Sequence, residues 1–396
     1  MKTRIAALLT AAALIAAPAA AAEVVKAGGI AFVSGVYGHR GDALAQVDEV
    51  VAKADAELKA AKLGGIGAMM QHTIFLKDGA VSPLAVLDRF HHDARKLAPG
   101  LVAAPSVGTI IRVPSFPDPR TLVMVDMSAG GGKLDRVPFT FGPKEIAQTI
   151  GTDRLLFTAG IEGMDFEHGK VAPTIDEQIE AIVAKLDGAM RQAGLGLDHM
   201  VSHTLYVTKG TDPIHVIERF HALTHARAPG LVTHPSVGTL VLVDGMAVPN
   251  FLMEMDAVAS RAAPASLART PFHEMKMDIA KTVAAGGLVF VAGMEGIDFD
   301  HGNRVAADVG DQADASARKT ARALKEAGLA PHDLVKLKLY VKQGEDPARA
   351  AARFHQALAR LDPAFRPGAV AETVMMVEGL AGPTLKFEAT AVAARR

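Results

Sequence analysis

The chain predicts an α/β (α+β) architecture built three times over, each unit a mixed β-sheet with two helices on one face. Three observations carry that expectation. Arg89-Phe90-His91, Arg219-Phe220-His221 and Arg353-Phe354-His355 recur at intervals of 130 and then 134 residues. Each phenylalanine stands seven residues after a proline (Pro83, Pro213, Pro347), and each proline follows a residue suited to capping a helix: Ser82, Asp212 or Asp346. A Phe-x-x-Gly segment opens every copy, at Phe32 and Gly35, Phe157 and Gly160, and Phe290 and Gly293. A repeat of this length is a domain, larger than the ~20–50 residues of a solenoid unit. Three such domains on one chain imply a fused trimer, a single-chain pseudo-trimer.

The second copy shows the elements most clearly. Residues 153–160 read as a strand, and Gly163, Asp165 and Gly169 mark a turn. Thr174 and Glu177 form a capping-box pair. Ile175, Ile179, Ile182, Leu186 and Met190 then recur at helical spacing until Gly194. Residues 200–207 form a strand around Thr204-Leu205-Tyr206-Val207. Asp212-Pro213 starts a second helix, because the missing proline N–H costs little at the first helical position. Its apolar face carries Ile214, Ile217, Phe220 and Leu223. Two closing strands, 237–243 and 251–258, are expected to join through an Asp244-Gly245 hairpin.

The first copy places helices near 42–62 and 83–96, and strands near 66–76, 107–113 and 122–127. The third places helices near 311–327 and 347–361, and strands near 334–341, 369–377 and 384–392. Two helices cover one face of such a sheet, so the sister copies are the expected cover for the other. The small-residue and polar stretches 128–133 and 260–270 separate the repeats. The expected divisions are a leader over 1–22 and domains over 23–132, 133–262 and 263–396.

Composition narrows the function classes. A formal net charge of −1 over 396 residues gives no reason to expect a nucleic acid or an anionic membrane as partner. Lys2 and Arg4, a short apolar run over 5–15, and Ala20-Ala21-Ala22 have the order of a secretory signal cleaved before Glu23. The expected location is therefore periplasmic or secreted, with no membrane contact once the leader is removed. The absence of cysteine excludes disulfides, thiolate catalysis and cysteine metal sites.

The pattern resembles the RidA (YjgF-like) family. The segments that carry the resemblance are Leu155-Leu156-Phe157-Thr158-Ala159-Gly160, Met200-Val201-Ser202-His203-Thr204-Leu205-Tyr206-Val207 and Lys386-Phe387-Glu388-Ala389-Thr390-Ala391-Val392-Ala393. It spans nearly all of 25–396, as three tandem copies. The resemblance implies trimers with small-molecule sites in clefts between subunits, here between domains. It also implies an arginine after a Pro-Ala-type turn that clamps a substrate carboxylate, and a last-strand glutamate that orients the attacking water. Pro363-Ala364-Phe365-Arg366 is similar to the first, and Glu388 matches the second. His234 with Asp256 and Ala104 with Asp126 keep the same 22-residue interval in the other copies. A second register would put Pro105, Pro235 and Pro367 at the arginine position and leave no arginine. The family's strand serine is matched by Ser34, with Ala159 and Ala292 elsewhere. Its tyrosine has no counterpart, Lys144 standing near that place in copy two, and Gly368 replaces a frequent cysteine.

Imine hydrolysis asks little of a protein. A guanidinium fixes the neighbouring carboxylate by two parallel hydrogen bonds, and a carboxylate orients and partly deprotonates a water. The resemblance therefore implies an exported hydrolytic deaminase of 2-imino or enamine acids, or of related small C–N substrates. Arg366 and Glu388 would be the catalytic residues; Ser34, His234, Asp126 and Asp256 would bind a small carboxylate-type ligand. The alternative is a non-catalytic metabolite-binding protein with degenerate clefts. No cofactor and no metal are expected. His221, His225 and His234 lack the glutamate of a zinc-protease pattern, Ala222 standing there. The acidic turns at 165–169 and 298–302 lack a calcium-loop ladder. Arg89, Arg219 and Arg353 either line the clefts or pair with acids. His72 and His203 are replaced in copy three by Leu337. No nucleophile elbow, phosphate-binding loop or dinucleotide fingerprint is present.

Overall fold

The computed structural model describes residues 23–139, 145–272 and 278–395. The leader-like residues 1–22 and Lys144 lie outside the described residues. Three sheets follow one another along the chain, built on the same plan. In the first, the strand order is Val24–Ala27, Ile30–Tyr37, Val123–Gly130, Met69–Lys77, Val107–Val113. The central strand pairs antiparallel with Val123–Gly130 and parallel with Val107–Val113. Met200–Thr208 and Leu334–Lys342 repeat this placement, each with one parallel neighbour. The parallel step needs a crossover, and the second helix of each copy supplies it: Pro83–Leu97, Pro213–Arg227 and Pro347–Leu361.

Local chemistry starts these helices. Thr174 and Glu177 form the expected capping box ahead of Ile175–Gln192. Asp212 accepts from the N–H groups of Ile214 and His215, and Asp346 from Arg349 N–H. Ser82 departs from the expectation: its side chain makes no cap hydrogen bond, and Pro83 alone marks that start. The first helix of copy three begins at Val309, because Asp308 takes the N–H groups of Gly310 and Asp311. Phe90, Phe220 and Phe354 of the repeated triplet are fully buried between helices and sheet. Their arginines pair with acids on the preceding helix: Arg89 with Asp48 at 2.6 Å, Arg219 with Glu180 at 3.9 Å, and Arg353 with Asp314. That recurring bridge ties the two helices together and lies away from the clefts.

Residues 237–243 and 251–258 do not form a hairpin. Met200–Thr208 lies between Val237–Val243 and Met253–Ser260, so Asp244-Gly245 starts a connection rather than a tight turn. Gly245–Met246 reaches instead to copy one, where Gly245 pairs with Arg112 and Met246 with Ile111. Gly379–Leu380 reaches in the same way to copy two, opposite Leu242 and Val241. At the remaining junction, Ser115 Oγ donates to Gln343 Oε1 at 2.6 Å, and Phe116 enters a cluster with Met375 and Val377. Every copy therefore touches both others. The sheet faces left bare by the helices meet in one apolar cluster, in which Phe75, Tyr206 and Tyr340 are matched contributions from the three copies. Its burial is the physical reason the repeats stay together.

Candidate functional site in the clefts between repeats

The cross-strand register builds the site. Glu254 lies directly opposite Glu162, and Glu388 directly opposite Glu295. The corresponding pair in copy one is Met124 opposite Tyr37. Each acidic pair opens into a cavity between repeats. Glu162 and Glu254 line one of about 340 Å³ between copies one and two, with His91, Thr109 and Gly160. Glu295 and Glu388 line one of about 460 Å³ between copies two and three, with His221, Thr239 and Gly293. The two constellations are the same residue types at equivalent positions.

The Phe-x-x-Gly motif has a reason in this geometry. A Cβ added at Gly160 would overlap Oε1 of Glu254, and one at Gly293 would overlap Oε1 of Glu388. Only glycine leaves the carboxyl its place over the strand. Replacing Gly293 by alanine is expected to cost less than about 1 kcal/mol in folding, because the obstructing atom ends a flexible side chain. It should displace Glu388 from Glu295. Carbon-13 NMR of the carboxyl would then show Glu388 titrating nearer to the ordinary glutamate value; an unchanged titration would contradict this account.

Burial sets the protonation of both pairs. It raises Glu254 well above the usual carboxylate range, with Glu162 and Asp256 adding to the rise and Lys185 opposing it. Glu388 is raised by burial and then by Glu295, against Lys319 and a hydrogen bond from Thr239. Glu162 and Glu295 are raised by burial too, opposed by Lys185 and Lys319 respectively. Lys185 Nζ donates to Glu162 Oε1 at 3.3 Å and stands 4.9 Å above the Phe166 ring. Lys319 stands 4.5 Å above Phe299, the equivalent ring in copy three. Two close carboxyls in a dry setting do not both ionise, so each pair holds a proton.

The histidines of the repeated triplet form one wall. Burial pushes His91 and His221 down to about 4, so both are neutral near pH 7. His72 and His203 stand behind them, each within hydrogen-bond distance of a serine, Ser106 at 3.2 Å and Ser236 at 3.0 Å. Gly108 and Gly238 lie opposite because a Cβ there would strike the imidazole. In copy three Leu337 faces Glu372 instead. The place equivalent to a cleft is occupied there. Tyr37 Oη donates to Val374 O at 2.9 Å and accepts from Val374 N–H at 3.1 Å. Glu372 holds His355 at 2.5 Å, and its N–H donates to Ser34 Oγ.

The predicted site residues are dispersed. Glu388 lies in a cleft, but Arg366 does not join it. Arg366 is exposed, and its guanidinium donates to the carbonyls of Pro363 and Phe365 in its own turn, at 2.6 and 2.8 Å. Ser34 serves the closed junction, and His234 ends the short helix Gly230–Thr233. Asp126 and Asp256 line a separate central cavity of about 110 Å³ with Lys336 and Lys338. Their pairing with Glu388 by a 22-residue interval is corrected by the register. Tyr340 faces Glu388, Tyr206 faces Glu254 and Phe75 faces Met124, whereas Asp256 faces Thr204, Asp126 faces Thr73 and Thr390 faces Lys338. The residues missed from sequence are Glu162, Glu254 and Glu295. Their signal was present: Glu162 and Glu295 stand two residues past the motif glycine. Among the described residues no group of three or more His, Asp or Glu side chains is placed to hold a metal ion.

Comparison with known proteins agrees with the repeated sheets. The family model "Endoribonuclease L-PSP" matches residues 144–261 and again 278–395. A RutC family protein of Aquifex aeolicus is 30% identical over 76 residues, 19% of this chain, and the match spans 59% of that relative's length. Among solved structures, a chorismatase shares the fold at 15% identity with a TM-score of 0.52, covering 83% of this chain and 93% of that one. TdcF of E. coli, solved with bound serine, is 20% identical over 32% of this chain and 94% of its own, with a TM-score of 0.28.

Proposed function

The chain belongs to the Endoribonuclease L-PSP family, the RidA (YjgF-like) proteins, in tandem copies, and on that premise we propose a single-chain pseudo-trimer that hydrolyses small imines or related C–N substrates in its two open clefts. The observation that carries this reading is the paired, proton-holding carboxyls at the floor of each cleft. Such a pair offers both halves of the chemistry. The protonated carboxyl donates to the imine nitrogen, and its ionised partner takes a proton from the water that attacks carbon. The carbinolamine then collapses by C–N cleavage, leaving a carbonyl compound and ammonia. Lys185 and Lys319 limit how far the pairs are raised. The carboxylate clamp implied for Arg366 has no support, since that guanidinium is committed to its own turn.

The test is ammonia release from imines generated in situ, with and without an appended carboxylate. Wild type should accelerate it over buffer. Glu254→Gln and Glu388→Gln should each remove one cleft's share, and the double variant should lose at least tenfold. Arg366→Ala should change little. No acceleration by wild type would overturn the catalytic reading. Binding without turnover is the second reading, and the absence of Arg366 from either cleft favours it.

A further inference from the structure

The two open clefts share features on different elements that the closed junction between copies three and one has lost together. The first is an apolar collar at the mouth. Leu84 and Leu87 rim one cleft, and Ile214 and Ile217 the other. The equivalent residues in copy three are Ala348 and Ala351. Leu84 and Ile214 are 53% and 50% exposed, large apolar side chains held in water beside a cavity. The second is the floor. Where copies two and three carry glutamate pairs, copy one offers Tyr37 and Met124 to the closed junction. Collar and floor come from a helix of one repeat and two strands of the next. They lie on separate elements, and a common ligand would couple them.

The charge around the cavities defines the ligand. Asp88, Glu145, Glu162 and Glu254 line one cleft, and Glu218, Asp278, Glu295 and Glu388 the other. Among the described lining residues neither cleft has a lysine or arginine. Glu254 is only 5% exposed and opens into its cavity. His91 Nε2 is buried without a partner on the same wall. A buried polar group left this way is costly unless a ligand completes it. A carboxylate entering here would meet four acids, with one cation behind the floor, Lys185 or Lys319, already set against the paired glutamates.

We infer that each open cleft binds an amphipathic small molecule, its apolar body against the Leu84–Leu87 or Ile214–Ile217 collar and a basic nitrogen head group (amine, amidine or iminium) on the paired carboxyls. This rests on the cleft assignment made above and narrows its substrate class: the nitrogen is recognised, and a carboxylate is not required.

The experiment is titration calorimetry of the full chain at pH 8 with three probes of one shape: 2-phenylethylamine, 2-phenylethanol and 3-phenylpropionate. The amine is expected to bind at two sites per chain, the alcohol at least tenfold more weakly, and the carboxylate not measurably. Glu254→Gln and Glu388→Gln should each reduce the amine stoichiometry to one, and the double variant to none. Leu84→Ser with Ile214→Ser should weaken the amine severalfold and leave two sites. Thermal unfolding checks that each variant is folded, and the three-probe comparison on wild type stands without them. Carboxylate binding as tight as the amine, two amine sites persisting in the double glutamine variant, or no amine binding at all would each overturn the inference. Amine binding without imine turnover would sink the catalytic reading and leave this one standing. Turnover that requires a carboxylate on the substrate would do the reverse.

Discussion

Replacing Asp126 by leucine is expected to destabilise the chain by about 3–5 kcal/mol, because it strands the buried Lys336 ammonium and takes a partner from the half-buried Lys338. Asp126 lies where the three sheets meet. Lys336 Nζ reaches it together with the Val33 carbonyl and Thr373 Oγ1, and Lys338 Nζ stands 2.9 Å from its other oxygen. Burial opposes the charge on Asp126, but Lys336 and Lys338 outweigh it and hold the carboxyl below its ordinary range. The equivalent positions explain why this works. The aspartate is repeated as Asp256 and then replaced by Thr390, while Lys338 stands in register where the other copies have Thr73 and Thr204. Three identical subunits would bring three aspartates together there. One chain sets two lysines of copy three against two aspartates of copies one and two.

Urea unfolding at pH 7 gives the size of the effect. The sign with pH follows from the depressed carboxyl: its contribution is present above the unfolded aspartate value, about 3.9, and is lost as pH falls below it. Wild type and variant should therefore converge toward pH 2. Adding Lys336→Met to Asp126→Leu should recover part of the loss, since a buried pair exchanged for apolar groups is often neutral. A single-variant cost below about 1 kcal/mol would show that the network does not hold the repeats together.

The spacing of the repeated triplet made most of this fold legible. It placed the buried phenylalanines, the crossover helices and the proline starts, all of which depend on local sequence. It also contained the site. Carried 134 residues back from Glu388, the interval lands on Glu254, and from Glu295 a step of 133 lands on Glu162. Matching Arg366 to His234 shifted the register by two residues, enough to exchange the cleft glutamates for the central aspartates. Side chains two apart share a strand face, so both sets point to the same side and alternation alone cannot separate them. Arg366 failed for another reason. Its direction is set by the carbonyls of a turn, and a turn motif does not say which way a long side chain folds. The connection at Asp244-Gly245 was misread because its partner strand belongs to another copy, a contact that no local pattern encodes.

Glutamine at positions 254 and 388 together is expected to make the protein more stable at pH 8. In the folded chain both carboxyls keep protons at pH values where the unfolded chain has released them. The folded state then binds more protons than the unfolded one, so stability falls as pH rises from the unfolded glutamate value, about 4.3, toward the raised folded value. Each tenfold change in proton affinity is worth about 1.4 kcal/mol. Glutamine keeps the shape and removes the titration. Lys185 would then face Glu162 alone, and Lys319 would face Glu295 alone, one charge of each sign in place of three groups sharing one cation. Thermal unfolding from pH 4 to pH 9 should show the curves meeting at the acid end and separating in the variant's favour above pH 6. A variant less stable at pH 8, or curves parallel throughout, would mean that the pairs are not strained by their burial. A gain in stability accompanied by loss of amine binding would mark Glu254 and Glu388 as held in place for a ligand at the expense of the fold.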